Sequence, residues 1–234
     1  MKIDRTKNAG RNIVFGCMLK IYQIVMPFIM RTLMIYYMGI QYLGLNSLFT
    51  SILQVLNLAE LGVGSAMVYS MYKPIAVDDK KMICALMKLY RTYYRVIGII
   101  IAFLGLCLVP FIPKLIKSDV PADINIYILY ILNLSVTVLS YWLFAYKNCL
   151  LDAHQRTDVA SKATLVTNTL QYIVQFFTLC FLKNYYAYII VSLAAQALTN
   201  ILTAVVTTHM YPDYRPEGNL SKEVISGINR RIRD

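Results

Sequence analysis

The chain is short of charge. Lys, Arg, Asp and Glu make up 15% of its 234 residues, where an ordinary soluble domain carries about 25%. With 58% of residues hydrophobic, a fold exposed to water would present large apolar patches, which excludes a soluble enzyme. No glycine-rich loop of the phosphate-cradling kind is present, so this chain does not pump by nucleotide hydrolysis.

Paired cysteines are also lacking. Cys17, Cys84, Cys107, Cys149 and Cys180 stand singly, without a CxxC pair. Disulfide frameworks and metal sites need closer spacing, so the five read as free thiols packed like small apolar side chains. His154 lies near Asp152 and Asp158 with no further His or Cys ligand, and reads as part of a solvated loop, not a metal centre. No cofactor is expected. A cleavable leader is missing too, because the apolar run after Arg11 is far too long for a signal-peptide core; it reads as a membrane helix that stays.

What is abundant is long apolar sequence. A bilayer span needs about 20 mainly apolar residues, and six segments qualify, at about 12–38, 43–71, 93–112, 124–146, 163–182 and 186–210. The third has a basic amphipathic lead-in from Lys80. Gly39, Gly44, Pro74, the Asp78-Asp79 pair, Pro110, Pro113, Pro121, the polar run 152–158, Lys183-Asn184, Pro212 and Pro216 punctuate them. The expected fold is all-α: an integral membrane bundle of six transmembrane helices over 1–210. A polar, basic, linker-like tail follows over 211–234.

The net charge is +11. The basic residues lie between the apolar runs and lack the one-face clustering that nucleic acid requires, so loops facing an anionic leaflet account for them and no nucleic-acid partner is expected. Eighteen of the 23 Lys and Arg fall in the N-terminus, the second and fourth connections and the tail; three fall in the other connections. That split puts both termini in the cytoplasm.

Polar residues at membrane depth are expensive and so informative. At 100° per residue, Asn46, Thr50, Gln54, Asn57, Glu60 and Gly64 of the second segment share an arc of about 120°. Lys20, Gln23, Pro27 and Arg31 of the first share about 80°. Thr164, Asn168, Gln171 and Gln175 mark the fifth; Ser192, Gln196, Asn200, Thr203 and Thr207 mark the sixth; Asn133, Thr137 and Ser140 mark the fourth. The third is nearly featureless. Single residues of this kind glue helices together, whereas aligned stripes on four helices point to a hydrated cavity. Lys20 matches Glu60 in depth and reads as its ion-pair partner. Arg31 is then the less compensated cation, placed to attract an anion such as a phosphate. Pro27 reads as a kink, either static or a bend used between two states.

The stretch from Arg31 to Ile101 carries Arg31-Thr32-Leu33, Tyr42-Leu43-Gly44-Leu45, Leu58-Ala59-Glu60-Leu61-Gly62 and Tyr72-Lys73-Pro74, with Ala153-His154-Gln155-Arg156 further on. In that order it resembles the N-terminal lobe of Wzx-type polysaccharide and O-antigen flippases, of the multidrug/oligosaccharidyl-lipid/polysaccharide exporter superfamily. The resemblance implies a bacterial inner-membrane transporter that moves undecaprenyl-pyrophosphate-linked oligosaccharide repeat units toward the periplasm, for O-antigen, capsule or exopolysaccharide synthesis. It implies 12 to 14 helices in two lobes, coupling to H+ or Na+, and glycan polymerases as partners. Lys20, Gln23, Arg31, Asn46, Gln54, Asn57, Glu60, Asn168, Gln171, Gln196 and Asn200 would line the cavity for the lipid-linked oligosaccharide. Six helices make half of such a protein. The chain is then a fragment cut in the interlobe linker, a truncated product, or a half-size unit that needs a second copy. The alternatives are a small-molecule or drug antiporter of the same superfamily, with Glu60 as its ion site, and a non-transporting scaffold for glycan assembly.

Overall fold

The computed structural model describes residues 5–57, 60, 62–116 and 120–233, and all regular structure among them is helical. The helices are α1 (Arg5–Tyr37), α2 (Ile40–Asn57), α3 (Val63–Ala76), α4 (Lys80–Leu108), α5 (Ile112–Leu115), α6 (Ile126–Trp142), α7 (Tyr146–Ala153), α8 (Thr157–Phe177), α9 (Tyr185–Met210) and α10 (Lys222–Arg233). Four stretches are long and apolar enough to cross a membrane: Asn8–Tyr37, Lys80–Leu115, Thr157–Leu182 and Tyr185–Met210. A fifth is the pair α6–α7, bent by 50°. Side chains such as Ile24, Phe28, Phe103 and Phe181 point outward from them and are 66–75% exposed, as a lipid-facing surface requires. The protein is thus an all-helical membrane protein.

Local chemistry sets several boundaries. Asp79 starts α4 by accepting from the Met82 amide at 3.0 Å. Asn125 starts α6 by accepting from the amides of Tyr127 and Ile128, and Asn184 starts α9 through the Ala187 amide at 3.0 Å. Lys183, with φ 48°, makes the tight turn before it. α1 runs unbroken through Pro27.

Three expectations are corrected. The second expected span, 43–71, is broken between Asn57 and Val63. Gly62 there has φ +85°, a left-handed conformation in which an α-helix cannot continue. Leu58, Ala59 and Leu61 of the motif at this break lie outside the described residues. The fourth span ends early, because Phe144 at φ 60° turns the chain into α7. The tail is not simply a linker, since α10 packs against α3.

Contacts gather the connections at two ends. At one, the Asn12 side chain bonds the Gln155 carbonyl and the Asp158 amide, His154 stacks on Tyr211, and Lys80 pairs with Asp213 at 2.6 Å. At the other, the Tyr42 hydroxyl donates to Asp123, the Asn125 amide donates to the Tyr186 hydroxyl, and Tyr42 packs edge-on against Tyr185. Most of the expected cytoplasmic basic residues belong to the first end.

The core is made by close approach as well as by apolar contact. α4 meets α6 through Gly98 and Gly105, where a β-carbon would run into the Trp142 indole and the Leu134 side chain respectively. Small residues let helix backbones approach where lipid supplies no hydrophobic drive. Tyr130, fully buried, uses the seam to donate to the Gly105 carbonyl at 3.0 Å. Phe49 of α2 stacks edge-on against it at 5.6 Å.

Candidate functional site

The break after α2 opens a cavity of about 710 Å³. Glu60 stands in the break itself. Gly64, Ser65, Tyr69 and Tyr72 of α3 form one wall; Tyr94 of α4 and Ser140 and Tyr141 of α6 form another. α7 contributes Asn148, Cys149 and Asp152, and α9 contributes Gln196 and Asn200. The Tyr94 and Tyr141 hydroxyls both face the Glu60 carboxylate. Tyr141 also donates to Asn57 Oδ1 at 3.2 Å, and Tyr94 touches Cys149 Sγ at 3.6 Å. Asn200 is aimed by the Ser140 carbonyl at 3.3 Å and by Gln196, which donates to its Oδ1 at 3.1 Å. Among the described residues, no Lys or Arg lines this cavity, while two carboxylates do. Its inventory is aromatic faces, amides, hydroxyls and negative charge.

A second cavity, of about 230 Å³, lies further back along α2. Arg31, Asn46, Thr50, Gln171, Gln175 and Ser192 supply its polar groups. Thr50 of the smaller cavity and Asn57, which bonds Tyr141 of the larger, stand seven residues apart on one helix, so roughly 10 Å of α2 lies between the two. Among the described residues the ion pairs are Lys80–Asp213, Arg156–Asp158 and Lys162–Asp158, and none engages Arg31.

The residues expected from sequence therefore divide. Glu60, Gln196 and Asn200 line the larger cavity, with Asn57 joined to it through Tyr141. Arg31, Asn46 and Gln171 line the smaller one. Lys20, Gln23, Gln54 and Asn168 line neither. Lys20 is exposed on α1 and forms no ion pair with Glu60 among the described residues, so that expected pair is corrected. Part of the polar stripe on α8 and α9 is glue: Gln175 donates to the Tyr188 carbonyl at 3.1 Å and to Ser192 at 2.8 Å, and Thr167 meets Thr199 at 2.6 Å. The 152–158 run is not solvated, because His154 and Asp158 are buried.

Sequence reasoning missed Asp152, Tyr94, Tyr141 and Tyr69. Asp152 read as a loop residue, since nothing in its neighbourhood announces the bend at Phe144. The sequence gives the tyrosines no individual role; the signal available was their number, 19 in the chain.

No family model, curated protein or solved structure matches the chain.

Proposed function

We propose that the chain is one lobe of a bacterial inner-membrane flippase, which moves undecaprenyl-pyrophosphate-linked oligosaccharide from the cytoplasmic to the periplasmic leaflet. Six passes are counted if α2 and α3 together make the second and α6 and α7 the fourth. The observation that supports the reading is the pair of polar cavities along α2. The larger offers tyrosine faces to stack on sugar rings and amides and carboxylates to accept and donate to hydroxyls. The smaller offers Arg31, a guanidinium matched to a phosphate oxygen pair. A second lobe or a second copy would close both.

The test is Arg31→Ala in the complete protein. Surface glycan should be lost while the protein remains in the membrane at normal level. Normal glycan with that change removes Arg31 from the mechanism.

One observation favours a second reading, an antiporter of small molecules. Glu60 and Asp152 share a cavity that no basic residue lines among those described, an arrangement that would suit a proton, sodium ion or organic cation. In that case Glu60→Gln would flatten the pH dependence of transport; unchanged transport across a pH series counts against it.

A further inference from the structure

Behind the Tyr69–Tyr72 wall lies a groove of about 450 Å³ between α3, α4 and α10. Its making begins with the sequence of α10, which places Val224, Ile228 and Ile232 on one face with Arg231 at its edge and the other charges elsewhere. That apolar face turns toward α3, and Ile228 is buried. Polar ties hold the packing: Arg231 lies over the Tyr69 ring at 4.9 Å and donates to Ser70 at 3.3 Å. Tyr93 donates to Asn229 at 2.5 Å, and Lys88 donates to Asn219 at 2.8 Å.

The packing is incomplete. Gly227 contributes no side chain to the groove, and a β-carbon there would meet nothing within 4 Å. The floor is apolar, while two cations, Lys73 and Arg231, stand at the edge, and no carboxylate among the described residues lines the space. Lys73 is exposed and enters none of the ion pairs among the described residues. The groove lies on the half of the molecule where basic residues gather, and its rim carries two exposed tyrosines, Tyr69 and Tyr72, the residue type that sits at the headgroup level of a bilayer.

An occupant must combine an apolar body with a single anionic head. We propose that the groove binds an anionic phospholipid of the surrounding membrane, an acyl chain lying over Pro74, Met82, Leu86 and Ile228 and the phosphate held by Lys73 and Arg231. Basic pockets beside membrane helices take anionic headgroups by this charge complementarity, and the apolar floor adds selectivity that a surface band of lysines lacks. Because Tyr69 and Tyr72 line both spaces, the bound lipid presses on the wall of the Glu60 cavity. The proposal is independent of what that cavity transports.

The test is native mass spectrometry of the full chain in detergent, titrated with phosphatidylglycerol or phosphatidylcholine of identical chains. The first phosphatidylglycerol should bind more tightly than phosphatidylcholine. Lys73→Ala, at an exposed position, should weaken it about fivefold, the effect of one basic residue on an anionic lipid, and Lys73→Arg should restore it. Gly227→Leu, which fills the groove and keeps both cations, should remove this first adduct. Equal affinity for the two lipids overturns the proposal, as does phosphatidylglycerol binding untouched by both Lys73→Ala and Gly227→Leu. Saturation by a polyprenyl phosphate that phosphatidylglycerol does not displace also overturns it, giving the groove to a different lipid.

Discussion

The ring of His154, just after α7, lies against the ring of Tyr211, just after α9, with centroids 4.4 Å apart. This contact ties the two helix ends together at the basic end of the bundle. Tyr214 adds a second ring at 5.7 Å, and His154 Nδ1 sits 2.8 Å from the Leu150 carbonyl.

The contact makes stability depend on pH. Burial pushes the His154 imidazole below its ordinary value, more than the Leu150 carbonyl and nearby Asp78 raise it. The unfolded chain still takes up its proton near about 6.5. Stability is therefore full above that pH and is lost as the pH falls toward the lowered folded value. Thermal unfolding in detergent from pH 8 to 5 should show a falling midpoint, and His154→Phe should remove this component of the fall. An identical pH slope in the variant would refute the assignment.

Asp158 predicts a larger structural effect. Its side chain is fully buried, bonded by Arg156 at 2.9 Å and Lys162 at 3.1 Å, and its amide donates to Asn12 of α1. Removing the carboxylate leaves two partly exposed cations without an acidic partner. Asp158→Ala should destabilise the chain by about 1–3 kcal/mol, with Asp158→Asn in between. Chemical denaturation in a mild detergent measures both.

The α4–α6 seam gives a pairwise prediction. A β-carbon on Gly98 would clash with the Trp142 indole, which is held by a hydrogen bond to the Arg95 carbonyl at 3.3 Å. Gly98→Ala should lower stability by about 1–3 kcal/mol, the usual effect of overpacking. Trp142→Ala should cost less in the Gly98→Ala background than alone. Additivity of the two changes would show that the residues are not in contact.

Water access separates the cavity from the glue. In a background with the five native cysteines replaced, Ser65→Cys, on the exposed cavity wall, should react with a membrane-impermeant thiol reagent applied to its side. Thr167→Cys, at a position buried between α8 and α9, should stay unmodified. Equal protection of both would favour the scaffold reading over a transporter.

The polar residues show where sequence ends and tertiary structure begins. The helical period places Asn46, Asn57 and Glu60 on one stripe, which is right for the stretch of α2 that stays helical. It says nothing of which neighbours that stripe meets. Asn46 meets α1, α8 and α9 side chains around Arg31, while Asn57 and Glu60 meet Tyr141 and Tyr94. Lys20 and Glu60 were matched by depth alone, but an ion pair needs both to face the same neighbour, and Lys20 faces outward.

By itself the sequence determined that the chain is an all-helical membrane protein, because apolar runs of span length have no other stable form in lipid. It also holds the start of three helices, since Asp79, Asn125 and Asn184 cap locally, and the turn before α9 at Lys183. Only the tertiary structure decided the break at Gly62, the bend at Phe144 and the docking of α10. Each trades regular helix for contacts that exist only once other helices are in place. The cavity is the result: Glu60 and Asp152 are about ninety residues apart in the chain and line one space because α3, after the first break, packs against α7, after the second.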